Sequence, residues 1–284
     1  MGFLGLGNYS KPGKGVSKNQ PEKKRFFLFW EILFRKFWKV IQTNLFYALF
    51  LVPMVLSFVL YVMWGNESTF GTIITVIAFA ISAAIAGTAT AGLTYIMRNY
   101  AREQHAFLFS DFWDAMKNNW KQASVTGIVQ MLASVIVYYS TNFYYANIPN
   151  SKIYFIPFGL SLMIGILLLF SSYYVYLLMI TIDLKLIPLY KNALIMSILG
   201  LKTNLITTFF VALIAIPTIL FMPITIVLIV LIVPALIQLI VCFNSFQYIK
   251  KYCIDPYYEG KKAEEAEGDE QNADSVFSDD ISAE

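Results

Sequence analysis

The residues best suited to chemistry in this chain are two arginines and two aspartates at the ends of long apolar runs. Arg98 and Arg102 are one helical turn apart, so on a helix they share a face. Asp111 begins the next amphipathic stretch, where its carboxylate can pair with one arginine or cap the helix after Ser110, and Asp183 is the other available carboxylate. We predict either an ion-pair clamp or a docking site for an anion, a phosphate or a cytoplasmic protein.

The sequence offers few other groups for catalysis. The apolar runs contain no carboxylate, histidine or lysine, and His105 has no second histidine with which to hold a metal. Nucleotide-binding glycine motifs, a nucleophile elbow and an H-E-x-x-H motif are all absent. Cys242 and Cys253 form no C-x-x-C pair, and we interpret both as inert thiols. We expect no enzyme, no cofactor, no metal and no nucleic-acid partner.

The composition indicates whether the helices that carry these residues lie in water or in lipid. Of the 284 residues, 58% are hydrophobic and 14% are charged, and the mean hydropathy is +0.61. Soluble domains hold roughly 45–50% apolar and about 25% charged residues. These values exclude a largely disordered chain and favour an all-α integral membrane protein.

Charge-free runs define the predicted spans. A membrane-crossing helix needs about 20 apolar residues, and the last run, 203–248, is about twice that length with prolines inside it. We place a turn at Pro223, although a re-entrant segment within 203–248 remains an alternative. The six predicted transmembrane helices are 44–64, 72–97, 122–144, 154–182, 203–221 and 224–248.

The distribution of positive charge predicts the orientation. Lys152 is the one basic residue, of 21 Lys and Arg, that does not fall on a single side of the predicted spans. By the positive-inside rule, both termini lie in the cytoplasm of a multi-pass cell-membrane protein (N-in/C-in).

Three regions follow along the chain: a basic N-terminal arm (1–25), a membrane domain (26–255) and an acidic, disordered cytoplasmic tail (256–284). The membrane domain begins with a predicted interfacial amphipathic helix, 26–41. Its Trp30, Phe34 and Trp38 are expected to anchor it in the bilayer, while its lysines and arginines contact anionic headgroups.

A weak internal repeat is visible. Amphipathic stretches end at Asn44, Asn119 and Asn204, and each precedes an outward-going span. We predict that these asparagines cap the spans, and that the fold is a three-fold pseudo-repeat of an interfacial helix plus a helical hairpin; chance is the alternative.

Small residues mark the second predicted span as the packing centre. Ala83, Gly87 and Ala91 recur at four-residue spacing. Such a stripe lets helix backbones approach closely, either within the protein or in a dimer. The oligomeric state stays open.

Three patches resemble the YesL-like family of bacterial membrane proteins, whose biochemical function is undefined. They are 44–53, 91–103 with 111–113, and 117–121, and the glycine-rich start from Met1 to Gly15 looks like the longer members. The resemblance covers roughly residues 1–255 and implies a multi-pass protein of Gram-positive bacteria. It also implies a gene neighbourhood of carbohydrate ABC importers and two-component regulators, but no catalytic residue.

Two functions are carried forward. The first is a non-enzymatic accessory protein whose basic cytoplasmic loops dock on ABC importer subunits or a sensor kinase. The second is a stand-alone transporter or channel lined by the tyrosines of spans three and four, such as Tyr138 and Tyr173. No span contains an ionisable group for ion coupling, which favours the first.

Overall fold

The computed structural model describes residues 23–65 and 68–261, and all regular secondary structure in these ranges is helical. Most of the basic arm and most of the acidic tail therefore lie outside the described residues. The α-helices are α1 (Arg25–Leu60), α2 (Thr69–Ala101), α3 (Leu108–Asn147), α4 (Phe155–Met179), α5 (Leu186–Leu199), α6 (Leu201–Leu220), α7 (Ile226–Leu231) and α8 (Val233–Ile249).

Five helical segments are long and apolar enough to cross a membrane. They are Arg25–Gly65, Thr69–Ala101, Leu108–Asn147, Lys152–Met179 and Leu201–Leu220, and they contain the first five predicted spans almost entirely. Many of their large apolar side chains are exposed, for example Phe58, Ile77 and Ile136. This is the surface expected of helices whose solvent is lipid.

The predicted sixth span is divided into α7 and α8. The chain breaks at Ile232, and Pro234, which has no backbone N–H, stands at the start of α8. The six-span count therefore stays a prediction.

Two predicted boundaries need correction. The stretch 26–41 is not a separate interfacial helix, because α1 continues through it to Leu60. Residues 26–52 contain neither glycine nor proline, so nothing interrupts the helical hydrogen bonds.

Residues 255–261 are helical as well, although we predicted disorder from residue 256. Pro256 stands in the first turn of that helix, where its missing N–H costs nothing.

We call one end of the bundle the basic end. It contains the start of α1, residues 102–107 between α2 and α3, residues 180–185 between α4 and α5, and the end of α8. The arginine and aspartate candidates all lie there.

Two glycines bring the backbones of α2 and α3 into close contact. A Cβ atom added to Gly87 would collide with the carbonyl oxygen of Ala123 and lie 2.9 Å from the Cα of Gly127. A Cβ on Gly127 would likewise collide with the carbonyl oxygen of Ala83. The small-residue stripe of the second span is thus used for packing within the protein.

A substitution at Gly87 tests this contact. Gly87→Leu should lower the free energy of unfolding by about 1–3 kcal/mol, because the backbones must separate to admit the side chain. Gly159→Leu is the control; nothing lies within 4 Å of a Cβ there and Leu favours a helix more than Gly does, so it should not lower the free energy of unfolding. Equal midpoints of unfolding in detergent for the two variants would contradict the close packing of α2 on α3.

Candidate functional site

Arg98 is buried at the basic end, with 8% of its surface exposed. Its Nη1 donates to the carbonyl oxygen of Ile180 at 2.9 Å and to the hydroxyl of Thr181 at 3.1 Å. Its Nε and Nη2 donate to Oδ1 of Asn99, and the guanidinium lies 4.7 Å from the centre of the Tyr95 ring. Ile180 follows the last residue of α4. Arg98 therefore places a positive charge where the carbonyl groups of α4 are left without helical partners.

The carboxylates predicted to pair with the arginines have other surroundings. Asp111 accepts hydrogen bonds from the backbone N–H of Phe107, at 2.8 Å, and from the hydroxyl of Ser110, at 3.3 Å. It thus takes the capping alternative at the start of α3. Asp183 is exposed. The ion pairs in the described ranges are Lys23–Glu31 and Arg35–Glu103. The predicted ion-pair clamp is corrected to a clamp between a cation and a helix end.

Arg102 differs from its neighbour one turn earlier. It is exposed, and its guanidinium lies 4.7 Å from the centre of the Phe246 ring in α8. No hydrogen bond from this side chain occurs among the described residues. Its donors are therefore directed to the surroundings of the protein, where a docking partner can reach them.

The start of α1 is held across the basic end. Arg35 pairs with Glu103, and the Lys36 ammonium lies 5.4 Å from the centre of the Tyr100 ring at the end of α2. The predicted anchor residues point away from the core: Phe34 and Trp38 are each more than 70% exposed, and Trp30 stacks on Phe34 at 5.9 Å. Their contact with lipid stays a prediction.

Asn44 is fully buried in the middle of α1 and bonds to the break between α7 and α8. Its Nδ2 donates to the carbonyl oxygens of Ile229, at 2.9 Å, and Val230, at 2.7 Å. Its Oδ1 accepts from the backbone N–H of Ala235 at 2.8 Å. One carboxamide thus replaces three backbone hydrogen bonds at the break that Pro234 introduces.

The other two asparagines have different roles. Asn204, also buried, accepts from the hydroxyl of Tyr174 at 2.7 Å and donates to the carbonyl oxygen of Ser197 at 2.9 Å, which joins α5 to α6. Asn119 donates to the carbonyl oxygen of Ala115 within its own helix. Neither they nor Asn44 caps the first turn of a span, so this prediction is corrected. Asn44 and Asn119 lie far inside continuous helices. Asn204 follows the start of α6 at Leu201 and is not its N-cap.

The two cysteines lie in environments that lower thiol reactivity. Cys242 is fully buried and donates weakly to the carbonyl oxygen of Thr94, at 3.8 Å. Partial burial raises the pKa of the Cys253 thiol, which lowers its thiolate fraction. Among the described residues, no group of three His, Cys, Asp or Glu side chains could hold a metal.

A cleft of about 570 Å³ lies between α3 and α4. Tyr138 lines it, together with polar side chains that include Gln130, Ser134 and Ser172. The tyrosines near the C-terminal end of α4 do not extend it. Tyr173 and Tyr174 are buried, and their hydroxyls are hydrogen-bonded to Thr208 and Asn204.

Residues 58–141 match the family DUF624, described as a protein of unknown function. The match runs from the end of α1 through α2 and most of α3, and it includes Arg98, Arg102 and Asp111. No curated protein and no solved structure matches this chain.

Replacement of Arg98 tests the helix-end clamp. Arg98→Met should lower the free energy of unfolding by about 1.5–3 kcal/mol, because it removes charge-assisted hydrogen bonds and leaves the Ile180 carbonyl without that donor. The matched control is Arg102→Met, which loses a ring contact worth up to about 1 kcal/mol. Unfolding in detergent, followed by circular dichroism, measures both; an equal effect of the two variants would contradict the clamp.

Replacement of Asn44 tests the bridge to α7 and α8. Asn44→Leu keeps the number and branching of the side-chain heavy atoms but should lower the free energy of unfolding by about 2–4 kcal/mol, since three buried backbone groups lose their partner. Asn119→Leu, which removes a bond within one helix, should cost no more than about 0.5 kcal/mol. The stabilities of the two variants are compared by denaturation in mixed micelles. An Asn44→Leu protein as stable as the wild type would contradict the bridge, because the three backbone groups at the break would then have other partners.

Proposed function

We propose that this protein is a non-enzymatic accessory protein of the cell membrane that docks a partner protein at its basic end. The observation that carries the proposal is the surface of that end, where basic residues such as Arg102 and Lys117 and the aromatic residues Trp30, Phe34 and Trp38 are all exposed. Arginine and large aromatic side chains are enriched in protein interfaces.

The proposed topology is six spans with both termini in the cytoplasm. The helices α7 and α8 together cover 226–249, which exceeds the roughly 20 residues that a crossing needs. Asn44 supports a crossing of this broken kind, because its carboxamide satisfies the backbone groups that the break would otherwise leave bare in lipid. With six spans, the basic end faces the cytoplasm.

The proposed partners are the subunits of a carbohydrate ABC importer, or a sensor kinase. This part of the proposal depends on the resemblance to the YesL-like family and on the gene neighbourhood that the resemblance implies. The internal polar groups support an accessory role over ion-coupled transport. Arg98 is directed to a helix end, and Asn44 and Asn204 to backbone groups, so these groups already have structural partners.

A second function, a passive pathway for a small uncharged solute, is favoured by the cleft between α3 and α4. The amide of Gln130 and the hydroxyl of Ser134 line this cleft in the middle of α3. Uncharged donors and acceptors of this kind suit a neutral, hydrogen-bonding solute.

Charge reversal at opposite ends of the bundle distinguishes the accessory function from the passive pathway. Lys117→Glu changes an exposed lysine at the basic end, and Lys152→Glu makes the same change at the opposite end. We expect Lys117→Glu to reduce recovery of an importer subunit or sensor kinase with the tagged protein by about fivefold or more, because like charges across an interface are costly. Lys152→Glu should leave recovery unchanged.

The measurement is quantitative mass spectrometry after purification from native membranes in mild detergent. Equal recovery of the partner with both variants would contradict docking at the basic end. Purified protein that, alone in liposomes, conducts a neutral solute without a pH gradient would support the cleft instead. Accumulation driven by an imposed pH gradient would contradict both functions.

A further inference from the structure

A separate cavity lies at the basic end, between the start of α1, the start of α6 and the end of α8. Its volume is about 410 Å³, within the roughly 300–1,000 Å³ of typical small-molecule sites. Two contacts hold its walls together: the guanidinium of Arg25 donates to the carbonyl oxygen of Phe243 at 3.0 Å, and the hydroxyls of Thr203 and Tyr248 lie 3.1 Å apart.

The lining changes from polar to apolar along the helix axes. Thr203 and Gln247 line the cavity near the start of α6 and the end of α8, at the level of the basic end. Phe210 lies seven residues further along α6, and Ile240 lies seven residues back along α8, so both are about 10 Å deeper. A ligand in this cavity therefore meets polar groups at one end and only apolar groups at the other.

The polar end of the cavity has unused hydrogen-bond donors. Arg25 donates one of its five N–H groups to the carbonyl oxygen of Phe243. The side-chain amides of Asn244 and Gln247, which also line the cavity, make no hydrogen bond within the described ranges. The exposed lysines next to these lining residues are Lys24, Lys202, Lys250 and Lys251. Glu31, the acidic residue in the same part of α1, pairs with Lys23 and not with Arg25.

We propose that this cavity binds one anionic phospholipid, with the phosphate of its headgroup at Arg25 and an acyl chain between α6 and α8. The occupant follows from the lining. A free phosphate would not use the apolar depth, and an uncharged lipid would not use the cluster of cations. The site differs from general attraction of a basic surface to headgroups, because it is one cavity with one charged residue, Arg25, in its lining. It does not depend on which side of the membrane the basic end faces, or on any partner protein.

The test is native mass spectrometry of the full-length protein in detergent micelles that contain equal amounts of phosphatidylglycerol and phosphatidylcholine. We expect one phosphatidylglycerol molecule per protein, retained about fivefold over phosphatidylcholine. Arg25→Gln should reduce this preference to near equality. Lys39→Gln is the matched control; it removes the same charge from an exposed position of α1 outside the cavity and should keep the wild-type preference.

A second variant tests the apolar half. Ile206→Trp should fill it and abolish retention of both lipids, while the midpoint of thermal unfolding reports whether the variant is folded. Equal retention of the two lipids by the wild type, or the same loss with Arg25→Gln and Lys39→Gln, would overturn the proposal. The proposal would also be overturned if the wild type retained no lipid but a variant without residues 262–284 did. That result would mean that the acidic tail, and not a lipid, occupies the cavity in the full-length protein.

Discussion

The rest of this structure depends on the side chain of Asn44, which joins the first helix of the bundle to the break between α7 and α8. Lipid offers no hydrogen bonds, so each backbone group within a span needs a partner from the protein. Pro234 and the turn at Ile232 leave backbone groups without their helical partners, and one carboxamide from α1 bonds to the carbonyls of Ile229 and Val230 and the N–H of Ala235. The broken helix can therefore stay inside the bundle, and it packs against α1 and α2.

The same physical requirement explains two further buried polar side chains. Arg98 bonds to the carbonyl that follows α4, and Asn204 bonds to a carbonyl near the end of α5. In each case a polar group from one helix supplies what the end of another helix lacks. Because these groups are occupied by the fold, a function is better sought on the surfaces that the fold leaves open, above all at the basic end.

The basic end combines two kinds of feature. The stretch of α1 that precedes its apolar part crosses from α8, where Arg25 and Phe29 contact Phe243, to the end of α2, where Arg35 pairs with Glu103. This arrangement leaves aromatic side chains exposed along α1 and encloses a cavity beneath Arg25. A partner protein and a lipid would thus contact neighbouring but separate parts of the same end.

The sequence alone determined the helical class, the positions of five long apolar helices and the small-residue contact surface of α2, because apolar length and residue size act locally. It also identified Arg98 and Asn44 as unusual, but it could not determine their partners. Their partners include backbone groups far along the chain, at Ile180 and at Ile229 to Ala235. Every residue carries such groups, so they leave no mark in a sequence. The asparagines at 44, 119 and 204 have similar sequence surroundings but different hydrogen-bond partners in the structure. Only the tertiary structure decided which helix end or helix break each polar side chain would meet, because that depends on how the helices cross.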